Sequence, residues 1–326
     1  MEIFMKLKFL LFLLLICMVF SSCTPKQEAE PSSTLSVSDT AITFTDALDR
    51  AVTVDSPKRV AATLGSFAQI WMLAGGSVCA TADDAWEDLQ LELPADTVNL
   101  GNTKQLSLEQ LFASEPDFIL ASTNTRQNLE WKDILDQTDI PVAYFDVSNF
   151  DDYLNLLNIC TDITGRKDLY AQHGLDVQKQ ISEVLEKSQK RLSENEPPQV
   201  LSLVASASSL RAKTSESNVL GEMLKALGCV NIADSDTLLL EDLSIEHILL
   251  CDPDYIFIVQ RGDDTEGMHA YVNQMLMEHP AWSKLTAVRE GRVHFMEKTL
   301  YNLKPNHRWG LAYEQLEEIF ADETQK

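Results

Sequence analysis

Hydrophobic and polar positions along this chain fall into three successive regimes. The first is an unbroken apolar run over residues 9–20, preceded by Lys6 and Lys8. It is shorter than the roughly 18–20 residues a bilayer-spanning helix needs and has the layout of an export signal. The second, residues 24–38, is rich in Ser, Pro, Gln and Glu and reads as a flexible tether. In the third, from Ile42 onward, short apolar runs alternate with stretches of helical periodicity. Two β segments, 42–44 and 51–54, come first. Strands follow at 59–63, 77–81, 117–121 and 142–145, interleaved with helices at 67–74, 108–114, 129–138 and 153–164. Such alternation predicts parallel sheet with helical crossovers.

Residues 166–192 break the rhythm. They form one long helix-favouring stretch rich in Gln, Glu, Lys and Leu, with Gly174 its only weak position, and Asn195-Glu196-Pro197-Pro198 stops it. Alternation then resumes with strands at 200–205, 255–259 and 292–295. Helices are expected at 219–227, 245–250, 270–276, 281–286 and 309–320. An internal repeat supports the division. Residues 106–120 align without gaps to 243–257, with six of fifteen positions identical. Each copy predicts a Ser N-cap, a short helix, a Pro-Asp turn and a buried strand. The expected fold class is α/β, with two Rossmann-like three-layer lobes joined by one long helix and a ligand cleft between them. The expected segments are an export signal (1–22), a tether (23–38), a first lobe (39–163), the connecting helix (164–193) and a second lobe (198–326). A helical connector makes a stiff hinge with modest opening.

The chain carries a net charge of −24, which excludes a nucleic-acid partner, because phosphates need Lys and Arg to neutralise them. Any anionic ligand must be met by basic residues placed locally. Of the six cysteines, Cys17 lies in the signal. Cys79, Cys160, Cys229 and Cys251 show no CxxC or zinc-ligand spacing. Cys160 and Cys251 sit in apolar contexts and are expected to be buried thiols. No GxSxG or HExxH motif occurs, and the adjacent Asp83 and Asp84 read as a solvated turn, so no enzyme is expected. The six histidines are scattered without helical i, i+4 pairs, so no direct metal site is expected.

The stretch Val19-Phe20-Ser21-Ser22-Cys23 resembles a bacterial lipobox, which would make Cys23 an acylated N-terminus and the membrane a partner through that anchor. The plain alternative is an ordinary signal peptide with an incidental cysteine. Further resemblance is carried by Asp49-Arg-Ala-Val-Thr-Val, Pro57-Lys-Arg-Val, Leu108-Glu with Glu115-Pro-Asp, and residues 221–231. It continues through Pro253-Asp, Trp282-Ser-Lys-Leu-Thr-Ala-Val and Gly291-Arg-Val. In their order and spacing, these resemble the helix-hinged solute-binding lipoproteins that feed ferric siderophores, haem or cobalamin to ABC importers. The resemblance implies an ABC permease and its ATPase as partners. It also implies a docking glutamate in each lobe, at Glu109 and Glu246, to meet permease arginines. The plain alternative is that each glutamate only complements the positive end of its helix.

In such lobes ligands sit beyond the carboxyl ends of the strands. That rule nominates Ser66, Phe67, Trp86, Asn124 and Arg126 in the first lobe, and Ser208, Arg211, Arg261 and Tyr301 in the second. Phe67, Trp86 and Tyr301 are the candidate flat walls. The three arginines are candidate forks for carboxylate or catecholate oxygens. Met268 and His269, beside the stretch 262–267, and Tyr301 are candidate axial contacts to a haem iron. No cofactor is called for, and the ligand expected first is a ferric siderophore, then haem, then a cobamide. A surface sensor or adhesin and an anchored hydrolase are the other classes.

Overall fold

The structure is a computed structural model and describes residues 41–241 and 243–321. The export signal, Cys23 and the tether lie outside the described residues. No described helix is long and apolar enough to cross a membrane.

Strands β1 (Ala41–Thr45) and β2 (Ala51–Asp55) form an antiparallel hairpin, with Ile42 opposite Val54 and Phe44 opposite Val52. Asp46 holds its turn, accepting hydrogen bonds from the backbone N–H of Leu48 and Arg50 and pairing with the Arg50 guanidinium at 2.7 Å. The first main sheet contains β3 (Val60–Ala62), β4 (Val78–Thr81), β5 (Val98–Asn99), β6 (Phe118–Ser122) and β7 (Val142–Phe145). All are parallel, in the order β5-β4-β3-β6-β7. The second contains β8 (Gln199–Ser206), β9 (Ser209–Lys213), β10 (Val230–Asn231), β11 (Tyr255–Gln260) and β12 (Val293–Met296). Its parallel order is β10-β8-β11-β12, and β9 folds back antiparallel on β8. The core orders β4-β3-β6-β7 and β10-β8-β11-β12 are the same topology used twice.

Parallel strands are buried on both faces, so alternate residues serve different cores. In β6, Phe118 and Leu120 face one apolar cluster while Ile119 and Ala121 face another. In β11, Tyr255, Phe257 and Val259 turn one way and Ile256 and Ile258 the other. The two inner faces share a single continuous core. It is completed by Val177, Ile181 and Val184 of the helix Asp176–Glu194, and by Trp309, Ala312, Leu316 and Phe320 of the helix Trp309–Ala321. A common core resists relative movement of the lobes.

The connecting segment runs through Lys167–Tyr170, a π-helical turn at Ala171–Leu175, and Asp176–Glu194. At 1.5 Å per residue it is about 42 Å long. The wider turn falls at Gly174, where a Cβ would come 2.8 Å from Leu154 Cδ1, so glycine lets the helix Phe150–Thr164 pack closely. Gly165, in the left-handed region (φ 71), ends that preceding helix.

The Pro-Asp pairs of the repeat acquire a physical reason. Asp117 accepts hydrogen bonds from the backbone N–H of Lys58 (2.7 Å) and Arg59 (2.8 Å), at the entry to β3. Asp254 accepts one from Gln199 N–H (2.8 Å), at the start of β8. The two N-caps diverge. Ser107 accepts from Gln110 N–H (3.2 Å), whereas the Ser244 hydroxyl donates to the Glu246 carboxylate (2.7 Å).

Several local expectations are corrected. The helix expected at 129–138 is two short helices, Arg126–Glu130 and Lys132–Leu135. The one expected at 281–286 is a 3₁₀ turn, Trp282–Lys284, followed by Thr286–Arg289. Residues 206–209 form a hairpin turn, closed by a 2.7 Å contact between the hydroxyls of Ser206 and Ser209. Cys251 is exposed where its helix Ile245–Cys251 ends, while Cys160 is buried. The four described cysteines are all free thiols.

Candidate functional site

A cavity of about 350 Å³ lies between the lobes. The first lobe contributes Asn124, beyond β6, with Val147 and Ser148, beyond β7. The second contributes Val204 of β8, Lys213 of β9, the segment from Glu216 to Val219, Glu222, Arg261 beyond β11, Asn302 and Lys304. A smaller recess of about 140 Å³ continues it. There Asp83, Asp84, Glu87 and Asp88, beyond β4, face Arg261, Asp263, Lys298 and Asn302. Arg261 and Asn302 line both spaces, so they form one cleft at the carboxyl ends of the strands, where open α/β sheets place ligands.

The two ends of the cleft differ in charge. The larger cavity holds three cations, Lys213, Arg261 and Lys304, and two carboxylates, Glu216 and Glu222. Glu216 is already engaged by Lys225 at 2.6 Å. Burial lowers the Lys304 ammonium pKa, while Asp146, Asp84 and Asp152 act to raise it. In the recess, burial pushes Asp84 up to about 6, with Asp88 and Asp83 adding repulsion; the Gly65 N–H and Lys304 act in the opposite direction. Asp84 is therefore not the solvated turn expected. Its carboxylate accepts from Gly65 N–H at 2.9 Å, serving the first turn of the helix Gly65–Leu73, whose N-cap residue Leu64 has no side-chain acceptor. Lys298 spans the recess, pairing with Asp88 of the first lobe (2.6 Å) and Asp263 of the second (2.5 Å).

The residues nominated from strand ends part company here. Asn124 and Arg261 line the cavity. Ser66 is buried and its carbonyl accepts from Asn306 Nδ2 at 3.0 Å. Phe67 and Tyr301 are not cleft walls, because each occupies the buried face of its helix. Phe67 is 0% exposed and packs edge-on against Phe145, and Tyr301 is 1% exposed with its hydroxyl donating to Ala312 O. Trp86 is half-buried on the helix Asp84–Glu87, between residues that line the recess. Arg126 has a 92% exposed side chain and pairs with Glu130 one turn along its own helix. Ser208 and Arg211 line a separate depression of about 240 Å³, with Leu239, Tyr271 and Met275. Met268 is buried in the outer core of the second lobe, and His269 packs on Phe295 at 4.6 Å, so neither lines the cleft. No group of three or more His, Cys, Asp or Glu among the described residues is placed to hold a metal ion. Glu109 and Glu246 are both exposed in the first turns of their helices, Leu108–Ala113 and Ile245–Cys251.

Strand-end reasoning missed Lys213 and Lys304. Lys213 belongs to β9, which is not among the strands that the apolar pattern predicts. Lys304 lies within the polar stretch before the last helix, and its sequence neighbours carry no sign that it turns inward.

Residues 60–300 match the family model described as Periplasmic binding protein. The chain belongs to that family. Membership makes it a solute-binding protein rather than an enzyme, of a family that works outside the cytoplasm. Solved structures of similar fold include SirA from Staphylococcus aureus complexed with staphyloferrin B, at 18% identity and TM-score 0.67, covering 86% of this chain and 98% of that one. BauB, a siderophore-binding protein bound to acinetobactin and ferric iron, is similar at 20% identity and TM-score 0.68, with the same coverages of 86% and 98%. IsdE from S. aureus complexed with heme is similar at 16% identity and TM-score 0.64, covering 80% of this chain and 98% of that one. No curated protein matches the chain.

Proposed function

We propose that this protein captures a ferric siderophore in the cleft between its lobes and delivers it to an ABC permease, from a lipid anchor at Cys23. The observation that carries the choice of ligand is the chemistry of the cleft wall. Among the described residues, its lining contains no aromatic side chain and no His, Tyr, Met or Cys, while Ser, Asn, Lys, Arg and carboxylate groups dominate. Haem needs flat apolar walls and an axial donor. A hydrophilic chelate that already satisfies its iron needs neither. SirA and BauB, both solved with siderophores, share the fold and support the same reading.

Calorimetric titration of the mature domain with ferric siderophores, hemin and cobalamin tests this reading. Micromolar or tighter binding of an iron chelate is expected. A Soret shift with hemin alone would overturn the ligand class. Delivery rests on Glu109 and Glu246 as exposed docking groups, one in each lobe. Reversing both charges (Glu109→Arg with Glu246→Arg) is expected to abolish uptake while leaving ligand affinity intact, and normal uptake refutes the role. The anchor is tested by Cys23→Ala, which should release the protein from the membrane fraction.

A further inference from the structure

We infer that the cleft is built for an anionic, carboxylate-bearing iron chelate, and that Lys304 is the residue that selects it. The inference rests on the proposed capture of an iron complex and specifies its chemistry.

Lys213, Arg261 and Lys304 line the same cavity, and none makes an ion pair among the described residues. The contrast lies within the cleft itself. Lys298 is held by two carboxylates, and Glu216 is taken up by Lys225 outside the set. In the larger cavity three cations and one carboxylate, Glu222, thus stay without an ion pair among the described residues, an excess of positive charge in a chain whose net charge is −24. Lys304 is half-buried, with its ammonium 5.9 Å from the centre of the Phe67 ring, whereas Arg261 is exposed. Withdrawing an ammonium from water without a partner is unfavourable, so the surrounding structure must hold it there. Asn306 does so. It is fully buried with φ 54, and its amide donates to Ser66 O (3.0 Å) and Gln69 Oε1 (2.7 Å), pinning the loop to the first lobe. A fixed, half-buried cation facing an open cavity matches an anion that brings its own charge.

The remaining lining narrows the class. The apolar part is Val147, Val204 and Val219, with no ring for a catechol to stack on. A ligand carboxylate can accept from the Lys304 ammonium and from the planar Arg261 fork together. A neutral or cationic hydroxamate chelate would leave both cations without compensation.

The test uses the mature domain and four probes: ferric citrate, ferrioxamine B, a ferric tris-catecholate and hemin. Ferric citrate is expected to bind tightest in calorimetry. Lys304→Gln and Lys304→Met should each weaken it roughly 10- to 100-fold, the loss of a charge-assisted contact, with Lys304→Arg recovering part. Without ligand, Lys304→Met should melt at or above the wild-type temperature, because it removes a half-buried charge that makes no ion pair among the described residues. A Lys304→Met protein that melts well below wild type assigns Lys304 to the fold and overturns the inference. So does ferrioxamine B or the tris-catecholate binding tighter than ferric citrate, although iron-complex capture then stands. Silence from all three iron chelates overturns the proposed function itself, and the inference with it.

Discussion

The joint between the connecting helix and the last helix offers the sharpest test of how the lobes are held. Arg191 forms a two-pronged pair with Glu317, Nε to Oε1 at 3.0 Å and Nη2 to Oε2 at 3.1 Å, with both side chains only 10% exposed. Arg191 Nη2 also donates to Ser188 Oγ (3.0 Å), and its guanidinium carbon lies 4.9 Å from the centre of the Phe320 ring. Arg191→Met keeps the packing against Phe320 but leaves the Glu317 carboxylate buried and unpaired. Breaking a buried pair in this way costs about 3–5 kcal/mol. The lobes share one core, so unfolding should be cooperative, and the cost appears as a fall in Tm of roughly 6–20 °C, at about 2–4 °C per kcal/mol for chains of this order of size. Combining Arg191→Met with Glu317→Leu removes both charges and should recover most of the loss. Calorimetric melting of wild type, both single variants and the double variant gives the coupling directly. If the single variants lose less than about 1 kcal/mol, the pair behaves as a solvated surface bridge and the reasoning fails. A double variant no more stable than the worse single variant would also refute it.

Three other outcomes follow from particular contacts. Asp84 has its folded pKa raised from 3.8 to about 6, so the native state holds this proton more tightly than the unfolded chain. The resulting stability is present below about pH 4 and is lost as pH rises through about 6, on the order of 3 kcal/mol in all. Chemical denaturation from pH 4 to 7 should show this decline in wild type relative to Asp84→Asn, and a constant difference would contradict it. Asp117→Ala removes the acceptor of two backbone N–H groups and Asp254→Ala of one, so the unfolding free energy from urea denaturation should fall more for Asp117→Ala, by about 1–3 kcal/mol, than for Asp254→Ala, by about 0.5–1.5 kcal/mol. Lys298→Met leaves Asp88 without its partner from the other lobe, and hydrogen exchange over residues 84–88 should quicken. Unchanged exchange there would show that the bridge does not hold the recess closed.

The lobes were legible because their strands must be buried on both faces and therefore read as apolar runs between helical stretches. The stretch 117–121 showed as one such run. The repeat was legible because Asp117 and Asp254 make the same kind of backbone contact at the same place in each lobe. The two-residue strands β5 and β10 carry too little pattern to be seen. Hairpin β9 was hidden by the serine-rich turn that makes it.

The site followed a different logic. Arg261 and Asn124 were found because a strand end is a local property, visible from the run that precedes it. Phe67 and Tyr301 satisfied the same rule and still turned into the core, because which face of a short helix is buried depends on what packs against it. Cys251 went the opposite way for the same reason. The main strands and helices, the long connecting helical segment, the twofold repeat and an overall charge hostile to polyanions were therefore legible in local pattern and composition. Which side chains meet across the cleft depends instead on how the two lobes pack. Lys213 and Arg261 are 48 positions apart in the chain, and Asn124 and Lys304 are 180 apart, yet all four line one cavity. Tertiary packing also decided which cations are neutralised and which stay open. Lys298 and Lys304 look alike in sequence, but one finds two carboxylates and the other lines a cavity without an ion pair among the described residues. That difference comes from the packing of two lobes against each other, which no local pattern encodes.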